Sequence, residues 1–381
     1  MLYEKISKAV TDSTFEAILV TGADNFNYLA GATLPFLTPT SPEPTSLLWP
    51  KKGEPTIIVR SELEDTVKTL CSIKMTRSYP STQNSYLKAL VENVRKIKKG
   101  RIGVDLLRIP DPHLEYLKKE LKDFEFIGCD GLIRELRATK TEEELYLIEN
   151  VAYRIDHGIF GTQHHVLVRS GRSEMSLGEE IRVHCLERGL DVVGGHSVSS
   201  GASGENASKF WPLTPNYGIG REKHLQPGEY VRMEARYSLD GYWGSGCRLM
   251  SMGYPTIEQR KSYNDLVALR EVATSSMKPG VKCSTVYKAM KAEATKRDTK
   301  LVSGLVLGHG VGVSDYEAPY ISGGDETVIC EGMVFVLKPV IIGPKEELLW
   351  SSDTVFIEAN GSRVVGWYKD WREPYVANYT L

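Results

Sequence analysis

The sequence carries almost no net charge and contains no long apolar segment. Its formal charge is −2 over 381 residues, which gives no reason to expect a nucleic acid or an anionic membrane as a partner. No apolar run reaches the ~18 residues that a bilayer-spanning helix needs, and the first residues lack the apolar centre of a signal peptide. These absences predict a cytoplasmic protein that binds neither membranes nor nucleic acids.

Cysteine is scarce and scattered, and no two cysteines form a C-x-x-C pair. This spacing argues against a disulfide framework and against a zinc knuckle. Reduced, individually buried thiols are expected at Cys71, Cys129, Cys185, Cys247, Cys283 and Cys330. Internal repeats and low-complexity tracts are absent too. With 41% hydrophobic and 25% charged residues, the chain is typical of a globular protein with two domains.

Residues 1–131 alternate short apolar runs with helical patterns, which predicts an α/β domain. The predicted strands are Ala17–Thr21, Ser46–Trp49, Pro55–Arg60 and Arg101–Asp105, and the predicted helices are Glu62–Leu70, Tyr86–Ile97 and His113–Leu121. The proline-rich stretch 34–45 is predicted to be an exposed loop.

Residues 132–381 have longer helices and longer strands. Thr141 and Glu144 have the spacing of a capping box, so a helix is expected to begin there. The pattern predicts an α+β domain with helices packed on an antiparallel sheet. Its other predicted helices are Ser176–Arg188, Ile257–Lys278 and Ser284–Arg297, and its predicted strands are Tyr230–Tyr237, Tyr242–Met252, Met333–Val340 and Asp353–Ala359.

One stretch of the second domain holds an unusual histidine and an unusual lysine. His309 lies among Gly308, Gly310 and Gly312, and glycines at these positions allow backbone or a ligand to approach closely. The apolar run before Lys338 carries this lysine into the expected interior, where a lysine is rarely found without a partner. A pocket that contains His309 and Lys338 is therefore predicted.

Several segments together resemble the creatinase, prolidase, aminopeptidase P and methionine aminopeptidase family. They are 137–145 (Arg-Ala-Thr-Lys-Thr-Glu-Glu-Glu-Leu), 308–312 (Gly-His-Gly-Val-Gly), 317–321 (Glu-Ala-Pro-Tyr-Ile) and 332–335 (Gly-Met-Val-Phe). Segment 25–31 is similar to the first strand and turn of that family's N-terminal domain. The resemblance covers nearly the whole chain and implies an α/β N-terminal domain followed by a C-terminal domain of the pita-bread fold.

The resemblance also implies where metal ligands would stand. Metal-dependent members hold two divalent ions with two Asp, one His and two Glu, whose oxygens also hold a bridging water. In this sequence the five positions are occupied by Glu234, Ser245 (or the adjacent Gly246), His309, Lys338 and Ser352. Three of these positions have lost their carboxylate. One of the three is now Lys338, whose positive charge repels a divalent metal. No metal and no other cofactor is therefore predicted.

The match to the metal-free creatinase branch is also incomplete. That branch relies on a second histidine after a Ser-Gly-x-Asn stretch, where this chain offers Lys209, Phe210 and Trp211. It keeps a Glu at the position of Lys338. Ectoine hydrolase, another branch that acts on small C–N substrates, is a further relative implied by the resemblance.

The four predicted catalytic residues each have an alternative structural role. Lys338 binds a substrate carboxylate or stabilises an oxyanion, or it forms a structural ion pair with Glu234. Glu234 is a candidate base. His309 is a candidate proton shuttle, or a histidine hydrogen-bonded in the core. Tyr316 donates a hydrogen bond to a carbonyl or only packs.

A second group of residues is predicted to line the pocket and bind substrate. These are Glu317, Tyr320, Arg248, Lys209, Trp211 and His196. Arg248 is expected either to anchor a carboxylate or to make a strand-end hydrogen bond. Trp211 and Phe210, with Tyr242 and Trp243, form an aromatic cage or pack in the core. Cys247 is expected to be an inert core thiol unless a neighbouring cation lowers its pKa, and His164-His165 is expected to be a solvated helix end.

Three functions follow from these residues and from the resemblance. The first is a metal-independent hydrolase that cleaves a C–N bond in a small amino-acid-like or guanidino/amidine-type substrate. The second is a non-catalytic module that binds a peptide or small ligand. The third is an Xaa-Pro dipeptidase-like metallopeptidase with an altered site, whose substrate is dipeptide-like. The resemblance further implies a homodimer.

Overall fold

The computed structural model describes residues 2–34, 44–82, 85–166, 171–191, 197–208, 223–367 and 372–377. The chain forms two compact units, Met1–Arg137 and Ala138–Leu381. The division between Arg137 and Ala138 lies within the boundary segment 132–140 and six residues after the end of the predicted first domain at residue 131. It falls at the end of helix Asp130–Ala138, and the Arg137 guanidinium of this helix lies 2.8 Å from the Asp24 carboxylate of the first unit.

The first unit is an α/β layer domain, as predicted. Its sheet has the order β4-β3-β2-β1-β5-β6, and β2 is antiparallel to both β1 and β3, whereas β1–β5, β5–β6 and β3–β4 are parallel. The strands are β1 Ala17–Val20, β2 Ser46–Pro50, β3 Thr56–Arg60, β4 Thr76–Tyr79, β5 Arg101–Val104 and β6 Glu125–Gly128. The helices are α1 Leu2–Asp12, α2 Ala23–Ala30, α3 Glu64–Leu70, α4 Ser85–Val94, α5 Asp111–Glu120 and α6 Asp130–Ala138.

Segment 25–31 differs from its expected strand and turn, because it lies in helix α2. Phe26, Leu29 and Ala30 are buried on one face of that helix, which is the spacing of three and four that a helix produces. Gly31 ends the helix in the left-handed region, at φ 59°. The short apolar segment is compatible with either structure, and burial of this helical face decides between them.

The second unit is an α+β domain, as predicted. Its sheets have the orders β17-β9-β8-β7 and β11-β10-β12-β15-β16, with a small β13-β14 pair. Its helices are α7 Glu142–Val166, α8 Glu174–Glu187, α9 Ile257–Ser276 and α10 Cys283–Lys296. Its strands are β7 Val198–Ser203, β8 Tyr230–Leu239, β9 Tyr242–Met252, β10 Gly308–Gly310, β11 Glu317–Tyr320, β12 Val334–Leu337, β13 Ile341–Ile342, β14 Leu348–Leu349, β15 Asp353–Glu358, β16 Gly361–Val365 and β17 Tyr375–Ala377.

Helices cover the sheets of this unit and form its cores. The predicted capping box begins α7, where the backbone N–H of Thr141 donates to the Glu144 carboxylate at 2.8 Å. Val151, Ile155 and Ile159 of α7 pack with α8 against the β8–β9 hairpin, and α9 and α10 pack against strands β12 and β15. Among the described residues, no helix is both long and apolar enough to cross a membrane.

Candidate active site

Glu234 and Lys338 form an ion pair inside the second unit. Glu234 lies on β8 and Lys338 directly follows β12. The Lys338 ammonium donates to Oε1 of Glu234 at 3.1 Å, and the two side chains are 1% (Glu234) and 23% (Lys338) exposed. Burial raises the pKa of the Glu234 carboxyl, but the cations Lys338, Arg236 and Arg232 outweigh this effect and lower it. Glu234 is therefore an ionised carboxylate at neutral pH.

Arg236 is a member of this site that the sequence patterns did not single out. It stands two residues after Glu234 on β8, so both side chains point to the same face of the sheet. Its guanidinium lies 3.6 Å from Oε1 of Glu234 and 3.1 Å from the Asp315 carboxylate. The available signal was the i, i+2 spacing of a carboxylate and a cation on one predicted strand.

An indole ring completes the surroundings of Lys338. The Lys338 ammonium lies 4.8 Å from the centre of the Trp350 ring, and the Arg232 guanidinium lies 3.5 Å from it. Both are cation–π contacts. The ammonium is therefore held between a carboxylate and an aromatic face, with a quarter of its side chain open to solvent.

His309 is the central residue of β10 and is held between two neighbouring strands. A Cβ on Gly310 would lie 2.6 Å from the Ala318 carbonyl oxygen, and one on Gly308 would lie 2.9 Å from the Val336 carbonyl oxygen. Both distances are too short for any other residue, which explains the glycines. The His309 Nδ1 lies 3.0 Å from the Gly310 carbonyl oxygen. Since a carbonyl only accepts, Nδ1 carries the proton and Nε2 presents a lone pair.

The His309 ring is expected to titrate near pH 4 in the folded protein. Burial lowers its pKa to about 4, and the Lys338 and Arg236 cations add to this, against the opposing effects of the Gly310 carbonyl and Asp315. Below its unfolded pKa of ~6.5, the unfolded chain binds a proton that the folded protein does not. Stability is therefore lost as the pH falls from ~6.5 to ~4, by roughly 3 kcal/mol in total, and nothing is lost above this window.

This expectation is tested by ¹H–¹⁵N NMR of the histidine rings and by urea unfolding across that pH window. The His309→Gln variant removes the titrating ring and should show a correspondingly shallower fall in stability. His164→Gln, at an exposed position of α7 in the same unit, serves as the matched control. A His309 ring that titrates at its ordinary value near pH 6.5 would show that the side chain is hydrated.

Two tyrosines extend from His309 towards solvent. The rings of His309 and Tyr316 are 4.3 Å apart, and those of Tyr316 and Tyr320 are 5.4 Å apart. Tyr316 is 50% exposed, and burial of the remainder together with Tyr320 raises its phenol pKa. Tyr316 is therefore a protonated donor at neutral pH, on the open side of the histidine.

Glu317 lies deeper and pairs with a lysine that sequence patterns did not single out. Its carboxylate accepts from the Lys140 ammonium at 3.1 Å, and both side chains are buried. Lys140 belongs to segment 137–145, which carried part of the family resemblance. The residues predicted to line the pocket after His309 thus include one member of a buried ion pair, Glu317, in addition to a tyrosine.

Arg248 and Cys247 are committed to the interior. The Arg248 guanidinium lies 2.8 Å from Asp156 and 3.3 Å from Asp353, and it also donates to the Ser352 carbonyl. Its bond to Ser352, directly before β15, is the predicted strand-end hydrogen bond. Arg248 is only 3% exposed, so it does not make the predicted contact with substrate. Burial raises the pKa of the Cys247 thiol to about 12, which leaves it un-ionised and inert as a nucleophile.

The remaining predicted residues have varied positions. Trp243 is 8% exposed in an apolar cluster, with Tyr242 packed against that cluster, so both serve the core and not a cage. His196, Lys209, Phe210 and Trp211 lie outside the residues that the structure describes.

Comparison with known proteins places this arrangement in a family. Residues 150–361 match the model of metallopeptidase family M24, and residues 3–139 match the creatinase/prolidase N-terminal domain. An Xaa-Pro dipeptidase of Pyrococcus horikoshii is 24% identical over 361 residues, which cover 94% of this chain and 95% of the relative. An Xaa-Pro dipeptidase of Pyrococcus furiosus is 27% identical over 253 residues, covering 66% of this chain and 69% of the relative.

Solved structures show the same fold. The X-Pro aminopeptidase of Thermotoga maritima superposes with a TM-score of 0.82 at 18% identity, covering 98% of this chain and 99% of that chain. The prolidase of Pyrococcus horikoshii gives 0.76 at 23% identity, covering 95% and 96%. The chain therefore belongs to metallopeptidase family M24 and has the pita-bread fold with a creatinase-type N-terminal domain. The predicted family, fold and broad class, a hydrolase of this superfamily, are confirmed.

The family's metals do not fit the residues of this site. The ammonium of Lys338 is bonded to Glu234, the carboxylate that would hold a metal. Ser245 and Ser352, at two further positions where the family resemblance implies ligands, are buried, and their neutral hydroxyls do not offset a second cation beside Glu234. Among the described residues, no group of three metal-ligating side chains contains Glu234 or His309.

Proposed function

We propose that this chain is a dipeptidase-like hydrolase with an altered site, which cleaves a C–N bond in a small dipeptide-like substrate without a dinuclear metal centre. The relatives support the dipeptide class, because those quoted above are named Xaa-Pro dipeptidases. The ion pair of Lys338 with Glu234 supports the absence of metal. Guanidino and amidine substrates are the second choice, because neither of these relatives is named for acting on them.

The observation that carries the proposal is a cation held beside Glu234, at a position where the family resemblance implies a metal ligand. The Lys338 ammonium is fixed by Glu234 and by the Trp350 ring. A fixed cation stabilises the oxyanion that forms when water adds to an amide carbonyl. Lys338 would supply this charge, which the metals supply in the metal-dependent branch.

Two atoms in the site are available to a polar ligand. Oε2 of Glu234 and Oγ of Ser352 are buried and have no hydrogen-bond partner among the described residues. Oε2 is a free acceptor on an ionised carboxylate, so Glu234 would accept a proton from the attacking water. Tyr316 would donate to the substrate on the open side of His309, while Nε2 of His309 would accept a hydrogen bond from it.

This proton-accepting set is weak. The pKa of Glu234 is lowered and that of His309 falls to about 4, whereas a general base works best with a pKa near the working pH. The rate would then depend on positioning and on oxyanion stabilisation, and turnover would be slow. The same weakness favours one competing function, a non-catalytic domain that binds a small zwitterion in this pocket.

Metal analysis and a peptidase assay test the proposal together. We expect purified protein to hydrolyse members of a dipeptide panel equally well with and without EDTA. Its metal content should also be the same in the wild type and in Glu234→Gln. Hydrolysis that EDTA abolishes, with two ions per chain lost in Glu234→Gln, would overturn it. Saturable dipeptide binding without any turnover would instead establish the non-catalytic function.

The cellular location and the assembly are further parts of this proposal. The scattered cysteines without a C-x-x-C pair support a cytoplasmic protein, and the family resemblance supports a homodimer. Light scattering coupled to size-exclusion chromatography measures the molar mass in solution, and a mass of two chains is expected.

A further inference from the structure

A cluster of two histidines and one glutamate lies outside the candidate active site, between helices α7 and α8. Within the described part of the chain, His165, Glu180 and His184 are the one group of three metal-ligating side chains whose ligand atoms all lie within 4.8 Å of one another. Glu180 and His184 are four residues apart on α8, so they share a face of that helix. His165 reaches them from the last turn of α7.

The distances suit a transition-metal ion. Oε1 of Glu180 lies 2.5 Å from Nδ1 of His165 and 3.8 Å from Nε2 of His184. Ligand atoms around a tetrahedral zinc ion, each ~2.0 to 2.2 Å from it, lie roughly 3.3 Å apart. The two distances from Oε1 lie on either side of this value, and all three ligand atoms are within 4.8 Å of one another, so side-chain adjustment can bring them onto one ion.

A second observation is the state of His184. Its Nε2 is buried and has no hydrogen-bond partner among the described residues. Its other ring nitrogen, Nδ1, lies 3.6 Å from the Glu187 carboxylate. This is longer than a hydrogen bond, but Glu187 is near enough to move onto Nδ1, where a carboxylate would orient a metal-bound histidine and raise its basicity.

The glutamate is oriented in the same way. Its second oxygen, Oε2, accepts from the Arg172 guanidinium, which leaves Oε1 to face the two imidazoles. The positive charge of Arg172 opposes a nearby cation, so moderate affinity is expected. His164 is exposed in the last turn of α7, as predicted for a solvated helix end, whereas the half-exposed His165 also contacts Glu180.

We propose that His165, Glu180 and His184 form a mononuclear Zn²⁺ site with an open fourth position. Two imidazoles and one carboxylate are a ligand set that zinc uses when it keeps one position for water or another ligand. The ion would link the end of α7 to α8. This proposal does not depend on the proposed hydrolase function, since none of its residues belongs to the candidate active site.

Isothermal titration of the full chain, without a histidine tag, with ZnCl₂ tests this site. We expect one Zn²⁺ per chain and a rise in melting temperature on zinc addition. The isosteric Glu180→Gln and the His184→Ala variants should each weaken binding by about 100-fold or more, and Glu187→Gln by about tenfold. Co²⁺ in place of Zn²⁺ should give visible absorption bands that His184→Ala loses.

Two control variants separate this site from other histidines. His164→Ala changes the neighbouring residue outside the cluster, and His309→Ala changes the candidate active site. Both are expected to bind Zn²⁺ like the wild type. His165 is half-exposed, so His165→Ala is the variant that disturbs the fold least. The proposal would be overturned if the wild type showed no saturable Zn²⁺ binding, or if Glu180→Gln and His165→Ala both bound Zn²⁺ like the wild type. Loss of binding only in His309→Ala would overturn it too and place the ion elsewhere.

Discussion

Lys338→Met is expected to lower kcat/KM on the best dipeptide of the panel by about 10²- to 10³-fold, the usual effect of removing one oxyanion-stabilising group. Methionine keeps the length and apolar stem of lysine but removes the ammonium that lies 3.1 Å from Glu234. The loss should fall on kcat more than on KM, because the oxyanion exists only in the transition state.

The same change is expected to destabilise the fold. Glu234 is 1% exposed, and loss of Lys338 leaves its carboxylate buried with Arg236 at 3.6 Å as the nearest cation. Breaking a buried pair in this way costs about 3 kcal/mol. The double variant Glu234→Gln/Lys338→Met removes both charges, so it should recover most of the stability and none of the activity.

These two measurements separate a catalytic lysine from a structural one. Lys345→Met, an exposed lysine of the same unit that donates to the Gly228 carbonyl, is the matched control and should keep wild-type turnover. If Lys338→Met loses stability but turns over substrate at the wild-type rate, Lys338 is only the ion-pair partner of Glu234.

Arg248→Met is expected to produce the largest loss of stability, about 4 kcal/mol. The guanidinium is 3% exposed and contacts Asp156 of α7 and Asp353 of β15. Removing it leaves two buried carboxylates, with Arg270 at 3.5 Å from Asp353 as the nearest remaining cation. Urea unfolding, followed by fluorescence, measures the change in free energy of unfolding.

A surface arginine with two carboxylate partners provides the matched comparison. Arg363 lies 2.7 Å from Glu149 and 2.6 Å from Glu358, but the three side chains are 39%, 41% and 54% exposed, so Arg363→Met should cost only ~1 kcal/mol. Arg248→Lys keeps the charge and loses the planar fork, and an intermediate loss is expected. This variant keeps the test informative if Arg248→Met does not fold. Equal effects at Arg248 and Arg363 would contradict the buried network.

Local patterns in the sequence predicted most of the helices and strands. The capping residues Thr141 and Glu144 act within four positions of each other. The strand around Phe335 is a continuous apolar run, and the strand around Glu234 alternates apolar and charged residues. The strand and turn expected for segment 25–31 were wrong. Its few apolar residues are compatible with a strand or a helix, and only the burial of Phe26 and Leu29 favours the helix.

By itself, the sequence determined the family, the position of His309 between essential glycines, and the lack of three family carboxylates, because each depends only on which residue stands where. The tertiary structure alone decided how charges pair. In the folded chain Glu234 pairs with Lys338 and Arg236, Glu317 pairs with Lys140, and Arg248 pairs with two buried aspartates. Pairing depends on distance and burial between residues far apart in the chain, which no local pattern encodes.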